Sequence, residues 1–491
     1  MDILFKLGKK IIIMLLVLGG VFFLSACDES EVEDYVVTYV FNETTKTTLP
    51  TEKGKAVKEE VPRQFRHNFM GWYLDDKPFN FRKRVTENIT LVAKYNDDYE
   101  NLVREIHIDL DDPSEMSVWE IEKKTYLDAT LKLFNDDKFA LEEYQIEIRG
   151  RGNSTWTNPK KPYRVKFPKA TSILGMRKAK LYVLLADYFD PSGLRNYLAH
   201  SFSSLLNLDY TLETRFVELY FNGEYQGMYL LTEQVQIYKN RLDLTMEDNP
   251  DSGFLIELED DSRMEGEGDE DFDWVKVEGR NYLIKYPKPK NHSEEDYCLK
   301  AAYIKNYLTE MMASFEDGTY EEYIDVSQFI EYFILQEIFK NVDVNFSSVF
   351  AHKDEGGKLK MGPLWDFDIS LGNGNYFDYS YLGYWAVHHP WLKLLLKDDD
   401  FRESYQTRFR VVLEKLLPEA IDDLVSKGEI LRKYFNDDNA LWNTFGKSYW
   451  PVTEEMEAAL THEAHINLIK EFLEHRQEWL LNNLDLLDDL P

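Results

Sequence analysis

Apolar and polar residues alternate along several short segments in the first half of the chain. The alternation covers 105–110, 144–148, 163–167, 216–221 and 224–231. A period of two is typical of a β-strand with one buried face. Asn222-Gly223 separates the last two segments, and an Asn-Gly pair between strands predicts a tight hairpin turn. The first half is therefore predicted to be rich in strands.

The second half of the chain follows the helical period instead. Apolar residues recur every three to four positions over 327–340, 401–417 and 466–484, which predicts three helices. A strand-rich half followed by a helical half is typical of an α+β fold, here with two lobes. A cleft between such lobes is a usual place for a small-molecule site.

The first 27 residues predict a secretory signal peptide. Lys6, Lys9 and Lys10 precede the apolar run 11–24, which is followed by small residues and a cysteine. The run is short for a membrane span, which needs about 20 apolar residues. Leu24-Ser25-Ala26-Cys27 resembles the lipobox of bacterial lipoproteins, which implies cleavage before Cys27 and a lipid on its sulfur. A plain signal peptide with an incidental cysteine is the alternative.

Residues 28–34 are predicted to be an acidic tether, and residues 35–96 a small β module. Segments 35–41 and 88–95 are rich in β-branched and aromatic residues, as strands are. Gly71-Trp72-Tyr73 lies between them. The unit resembles the internalin-type B repeat, which implies a β-grasp-like spacer or adhesive module of bacterial surface proteins.

The net charge limits which molecules the protein can bind, and the cysteine content limits its disulfides. The net charge of −32 disfavours nucleic acid and anionic lipid surfaces as partners. The lipobox resemblance implies a lipid anchor at the extracytoplasmic face of the cell membrane. The chain has two cysteines. If Cys27 is lipidated, Cys298 has no partner and is predicted to be a buried or semi-buried thiol without a function. The acidic run 257–273 is predicted to be a solvated loop.

A glycine-rich segment with cations follows the strand predicted at 144–148. It reads Arg149-Gly150-Arg151-Gly152-Asn153-Ser154-Thr155. Glycines let successive backbone N–H groups converge on an anion, and the arginines add positive charge. Lys166 lies on the next predicted strand, within reach of the same anion. The segment thus predicts a polyphosphate site, with a simple hairpin turn as the alternative.

Acidic residues flank a second predicted hairpin. Asp343 precedes a predicted strand at 344–352, and a return strand at 358–363 leads to Asp366 and Asp368. The hairpin would bring these carboxylates to one end. Phosphate transfer needs one acid to accept a proton and another to hold Mg²⁺. Structural acids that cap a turn and a loop are the alternative.

The blocks around these residues resemble the CotH (spore coat protein H) kinase family over residues 97–486. The resemblance rests on 149–156, 160–167, 194–197, 227–233 and 362–368. It implies a divergent protein kinase fold that uses ATP with Mg²⁺, or Mn²⁺, to phosphorylate serine or threonine of proteins.

The resemblance also implies roles for single residues. Asp343 would be the catalytic acid, and Asp366 with Asp368 would hold the metal. Lys166 would contact phosphates, with Glu233 as its ion-pair partner. The phosphate loop would be lined by Arg149, Arg151, Asn153 and Ser154. Ser348 stands where some members of the family carry a second metal-binding Asn.

Two functions follow from these observations. The first is a protein kinase acting on cell-surface or coat proteins, whose acceptor protein the sequence does not identify. The second is a catalytically weak or inactive surface protein that serves in adhesion or in envelope or coat assembly, because ATP is scarce outside the membrane.

Overall fold

The computed structural model describes most of the chain after residue 33. The described ranges are 34–40, 46–52, 69–75, 77–81, 84–95, 103–112, 121, 123, 125–134, 140–152, 154–239, 241–246, 249–259 and 273–489. The chain divides into two compact units, Met1–Asn96 and Asp97–Pro491. The predicted signal peptide, Cys27, most of the tether and Asn153 lie outside the described residues.

The first unit contains a five-stranded sheet. Its strands are β1 (Asp34–Val40), β2 (Lys46–Glu52), β3 (Phe69–Leu74), β4 (Lys77–Pro78) and β5 (Ile89–Tyr95), in the order β2-β1-β5-β3-β4. β1 and β5 run parallel. Tyr39 and Trp72 pack edge to face at 4.9 Å in its core. The strands predicted at 35–41 and 88–95 are confirmed.

The second unit begins with a closed barrel of seven strands. These are β6 (Arg104–Leu110), β7 (Leu127–Phe134), β8 (Ala140–Gly150), β9 (Tyr163–Thr171), β10 (Ala179–Leu185), β11 (Thr214–Phe221) and β12 (Glu224–Glu233), in the order β10-β12-β11-β6-β7-β8-β9. Alternate residues such as Ile148 and Val165 fill its interior. Asn222 and Gly223 both have positive φ, as the predicted hairpin turn requires.

A second sheet follows the barrel along the chain. Its strands are β13 (Phe254–Glu259), β14 (Asp273–Val277), β15 (Arg280–Tyr286), β16 (Val349–Lys353) and β17 (Lys360–Met361), in the order β14-β15-β13-β16-β17. The β16–β17 pair is the hairpin predicted between Asp343 and Asp366. The prediction of a solvated loop over 257–273 was wrong at its start, because Glu257 and Glu259 are buried on β13.

Eight α-helices complete the described part of the second unit, which confirms a mixed α+β fold. They are α1 (Arg195–Leu205), α2 (Glu294–Asp317), α3 (Val326–Phe339), α4 (Pro390–Leu395), α5 (Asp399–Val411), α6 (Leu417–Trp442), α7 (Glu454–Ala458) and α8 (His462–Asn483). The helix predicted at 401–417 continues through a π-turn, Val412–Leu416, into α6. Pro418 lies two residues after the π-turn, and because it has no backbone N–H it leaves one helical hydrogen bond unmade there.

The α2 helix corrects the prediction for Cys298. This thiol is exposed, because Tyr297 and Lys300 occupy the buried face of the helix beside it. None of the helices in the described ranges is both long and apolar enough to cross a bilayer.

Because several histidines are buried, we predict that the folded protein loses stability in acid. Burial lowers the pKa of His200 from 6.5 to about 4, and the same cause lowers the pKa of His352 and His465 to about 4. The unfolded chain therefore binds more protons than the folded chain between pH 6.5 and 4. The stability is fully present above pH 6.5 and is lost as the pH falls towards 4. For His200 alone the loss at pH 5 is about 2 kcal/mol.

We expect His200→Leu to remove the part of this loss of stability in acid that is due to His200. Urea unfolding at pH 7 and pH 5 would measure it, as the difference in free energy of unfolding between the two pH values. The exposed His388→Leu is the matched control and should leave the difference unchanged. An equal acid loss in wild type and His200→Leu would contradict the assignment.

Candidate active site

A cleft of about 320 Å³ lies against the outer face of the barrel. Residues from β8, β9, β10, β13 and β15 line it, together with the segment that follows β17. Its lining contains seven cations, among them Arg149, Arg151, Lys160 and Arg164, and five acids, among them Asp187, Asp366 and Asp368. Opposite charges thus face one cleft.

The strand period places the arginines of the cleft. Arg149 on β8 lies directly opposite Arg164 on β9, and both point outward because Ile148 and Val165 fill the barrel. Like charges directly opposite on neighbouring strands are destabilising unless an anion lies between them. This pair therefore favours a bound anion.

Arg151 follows β8 and brings a third guanidinium group to the cleft. It lies over the ring of Trp365 at 5.3 Å. Burial lowers its pKa to about 10, and nearby Asp366 opposes that shift, so the group stays charged at neutral pH. The Nε atoms of Arg149 and Arg151 are buried without a hydrogen-bond partner in the described part of the chain. Such donors suit a multiply charged anion.

The aspartates on the other side are held in an unusual backbone. Asp187 and Asp366 have φ values of 46° and 66°, in the left-handed region that non-glycine residues seldom adopt. Asn196 ties their segments together, since its Nδ2 donates to Asp187 at 2.8 Å and its Oδ1 accepts from the N–H of Phe367 at 2.8 Å. Strain of this kind is concentrated at functional sites.

Negative charge accumulates at these aspartates. Burial, followed by the charge of Asp366, raises the pKa of Asp368 well above its ordinary value. Burial and Asp190 raise the pKa of Asp187 to about 7. A cation would relieve this repulsion. Among the described residues no three His, Cys, Asp or Glu side chains surround a common point. Mg²⁺ fits such a site, because it is commonly held by one or two carboxylates plus water and substrate phosphates.

Asp343 lies at the edge of this site. It is half-buried in the 3₁₀ turn Val342–Asn345, where its N–H donates to the side chain of Asn341 at 3.2 Å. It does not line the cleft, yet its charge helps to raise the pKa of Asp368. The structure thus brings Asp343 near the two predicted metal ligands.

The predicted ion pair between Lys166 and Glu233 is not formed. Lys166 is on the outer face of β9 and pairs with Glu147 at 2.6 Å, outside the cleft lining. Glu233 follows Leu231 on the inner face of β12 and pairs with Arg177 at 2.6 Å. The barrel wall therefore separates the two side chains.

The glycine-rich segment contributes only in part as predicted. Arg149 and Arg151 line the cleft, whereas the exposed Ser154 does not. Gly150 is required by packing, because a Cβ there would lie 2.3 Å from the ring of Trp156. Gly152 has φ of 87°, which glycine adopts without strain.

The polar residues of the cleft that sequence reasoning did not assign to the site include Lys160, Arg164, Asp187 and Asn196. Arg164 was recognisable, because the strand period places it on the same face as Lys166. Lys160 is only 3% exposed, and its Nζ lies 2.8 Å from Asp438 of α6. Nothing near Lys160 in the sequence signals a partner so far along the chain.

Cations and paired carboxylates face one cleft on this α+β fold, and the family match below assigns the chain to a kinase-like class. The profile of the family described as CotH kinase protein matches residues 148–480, and the chain belongs to that family. No curated protein matches the chain.

Proposed function

We propose that the chain is a protein kinase that transfers the γ-phosphate of ATP to serine or threonine of cell-surface or coat proteins. The observation that carries the proposal is the cation cluster facing Asp366 and Asp368 across one cleft. In this proposal the barrel and the helical part correspond to the two lobes of a divergent protein kinase.

Each side chain has a role in the proposed reaction. Arg149, Arg151 and Arg164 bind the polyphosphate through charge-assisted hydrogen bonds. Asp366 and Asp368 would hold Mg²⁺, which when bound supplies charge neutralisation at the phosphates. Asp343 orients the acceptor hydroxyl and accepts its proton.

Arg151→Met is expected to weaken Mg-ATP binding by about thirtyfold, because a charge-assisted hydrogen bond contributes roughly 2 kcal/mol. Isothermal titration calorimetry would measure the affinity. Lys166→Met is the matched control, since Lys166 lies outside the cleft and should bind ATP like wild type. A loss in Lys166→Met with none in Arg151→Met would overturn the phosphate-site assignment.

The alternative function is a surface protein that keeps the fold without transferring phosphate. One observation favours it: Lys166 is engaged with Glu147, and no Lys166–Glu233 pair is formed. Absence of any Mg-ATP binding in the wild-type titration would select this alternative.

We further propose that the protein is anchored by a lipid on Cys27 at the extracytoplasmic face of the membrane, with the 35–96 module as an internalin-type B-repeat spacer of β-grasp-like fold. Cells grown with labelled fatty acid are expected to label the wild type. Cys27→Ser should abolish that label and release the protein from the membrane fraction, whereas Cys298→Ser should change neither. Labelling that survives Cys27→Ser would contradict the anchor.

A further inference from the structure

A continuous row of aromatic rings reaches the surface beside Asp343. We name it the aromatic ridge, and it consists of Phe346, Trp385, Phe377, Tyr376 and Trp450. Successive ring centroids are 6.4, 5.2, 5.9 and 5.5 Å apart. The row therefore forms one surface.

The ridge is exposed at three of its five rings, whereas Phe377 and Trp385 are half-buried. Phe346, Tyr376 and Trp450 are 46%, 49% and 51% exposed. Grouped exposed aromatic side chains mark interaction sites, and Tyr and Trp are the residues that most often dominate binding.

The ridge is held in place by part-buried polar contacts. The N–H and indole Nε1 of Trp385 donate to Glu337 and to the carbonyl of Asn341, both at 2.7 Å. Lys340 Nζ donates to Asp378 and to the carbonyls of Ser380 and Leu382, at 3.0, 2.8 and 2.8 Å. A preformed surface loses little conformational entropy when it binds a partner.

Both ends of the ridge adjoin the candidate active site. The N–H of Phe346 donates to the carbonyl of Asp343 at 2.8 Å. At the other end, Trp450 packs on Phe189 at 5.2 Å, and Phe189 is two residues from Asp187 of the cleft. A molecule lying on the ridge is therefore next to the group proposed to accept the proton.

We infer that the aromatic ridge binds the acceptor as an extended polypeptide segment with large apolar side chains at alternate positions beside its serine or threonine. This rests on the proposed kinase function, which makes the occupant an acceptor. In an extended chain, side chains on one face repeat every ~6.7 Å, close to the spacing of the rings. The chain has a net charge of −32, and the negative charges of Glu454 and Glu455 act close to the ridge, at Tyr379, three residues after Tyr376. Both observations disfavour an acidic segment as the occupant.

The test measures binding of a fluorescein-labelled peptide of about 11 residues, with a central serine and leucine at alternate positions. Fluorescence anisotropy with the full chain, without nucleotide, gives its affinity. Trp450→Ala and Tyr376→Ala are each expected to weaken binding by about tenfold, the effect of truncating one dominant contact. Leu299→Ala, an equally exposed apolar side chain on α2, should have no effect.

Three outcomes of the peptide assay would overturn the inference. These outcomes are no binding of the peptide, equal binding by all variants, and tighter binding of matched peptides with aspartate or lysine in place of leucine. Loss of self-association in Trp450→Ala, seen by sedimentation, would assign the ridge to a second copy of the chain. The assay contains no nucleotide, so it tests the ridge separately from the kinase function. If the peptide binds at the ridge but the chain does not bind ATP, the kinase function is rejected and the ridge remains a peptide-binding surface.

Discussion

Replacing Asp366 by asparagine is expected to lower the rate of phosphate transfer by about a thousandfold, because a bound metal stabilises transition-state charge by several kcal/mol. The substitution removes one of two carboxylates proposed to hold the metal and keeps the shape of the side chain. The measurement is transfer of labelled phosphate from ATP to the chain itself or to a serine-containing peptide, at saturating ATP and increasing Mg²⁺.

Two comparisons make the result specific. Asp343→Asn should lower transfer by about a hundredfold or more with little change in Mg²⁺ requirement, because a positioned general base contributes about 10²–10⁴. Asp437→Asn, an exposed acid on α6, should behave as wild type. Transfer that persists in both Asp366→Asn and Asp343→Asn would reject the site assignment.

Local patterns allowed much of the fold to be predicted. The hairpin around Asn222-Gly223 depends on a turn that only a few residue pairs adopt easily, so its sequence identifies it. The α3 helix is apolar on nearly every side, yet its period and the Asp325 side chain that caps it identify its bounds. The hairpin before Asp366 follows in the same way from Gly356-Gly357.

Closure of the barrel could not be predicted from the same patterns. Alternation places Lys166 on the polar face of its strand, but the continuous apolar run 228–231 does not show on which face Glu233 lies. The register of β8, β9, β10 and β12 puts Glu233 inside and Lys166 outside. The prediction of this ion pair was wrong because it depends on how distant strands pair, and the local period of the sequence does not contain that information.

The buried pair of Lys160 and Asp438 has the same origin and matters more for the site. Lys160 lines the cleft, and its Nζ contacts Asp438 Oδ1 at 2.8 Å and lies over the ring of Tyr229 at 4.9 Å. Asp438 also accepts from the N–H of Met228 at 2.8 Å. Gly227 has no Cβ, and a Cβ there would lie 2.1 Å from the same carboxylate. The helix α6 thus anchors a lysine of the barrel at the cleft.

Asp438→Asn is expected to lower the free energy of unfolding by about 3–5 kcal/mol, because it leaves the buried ammonium of Lys160 without its counter-charge. Urea unfolding measures this loss, and the neighbouring exposed Asp437→Asn is the matched control, expected to stay within about 0.5 kcal/mol of wild type.

The double variant Lys160→Met with Asp438→Leu separates stability from function. Removing both charges is often neutral or stabilising, so this chain should recover most of the stability that Asp438→Asn loses. Its affinity for Mg-ATP should remain about tenfold or more below wild type, because a cation at the cleft is gone. Recovery of both stability and nucleotide affinity would make the pair purely structural. Recovery of stability alone would establish that Lys160, rather than Lys166, is the lysine that contacts the phosphates.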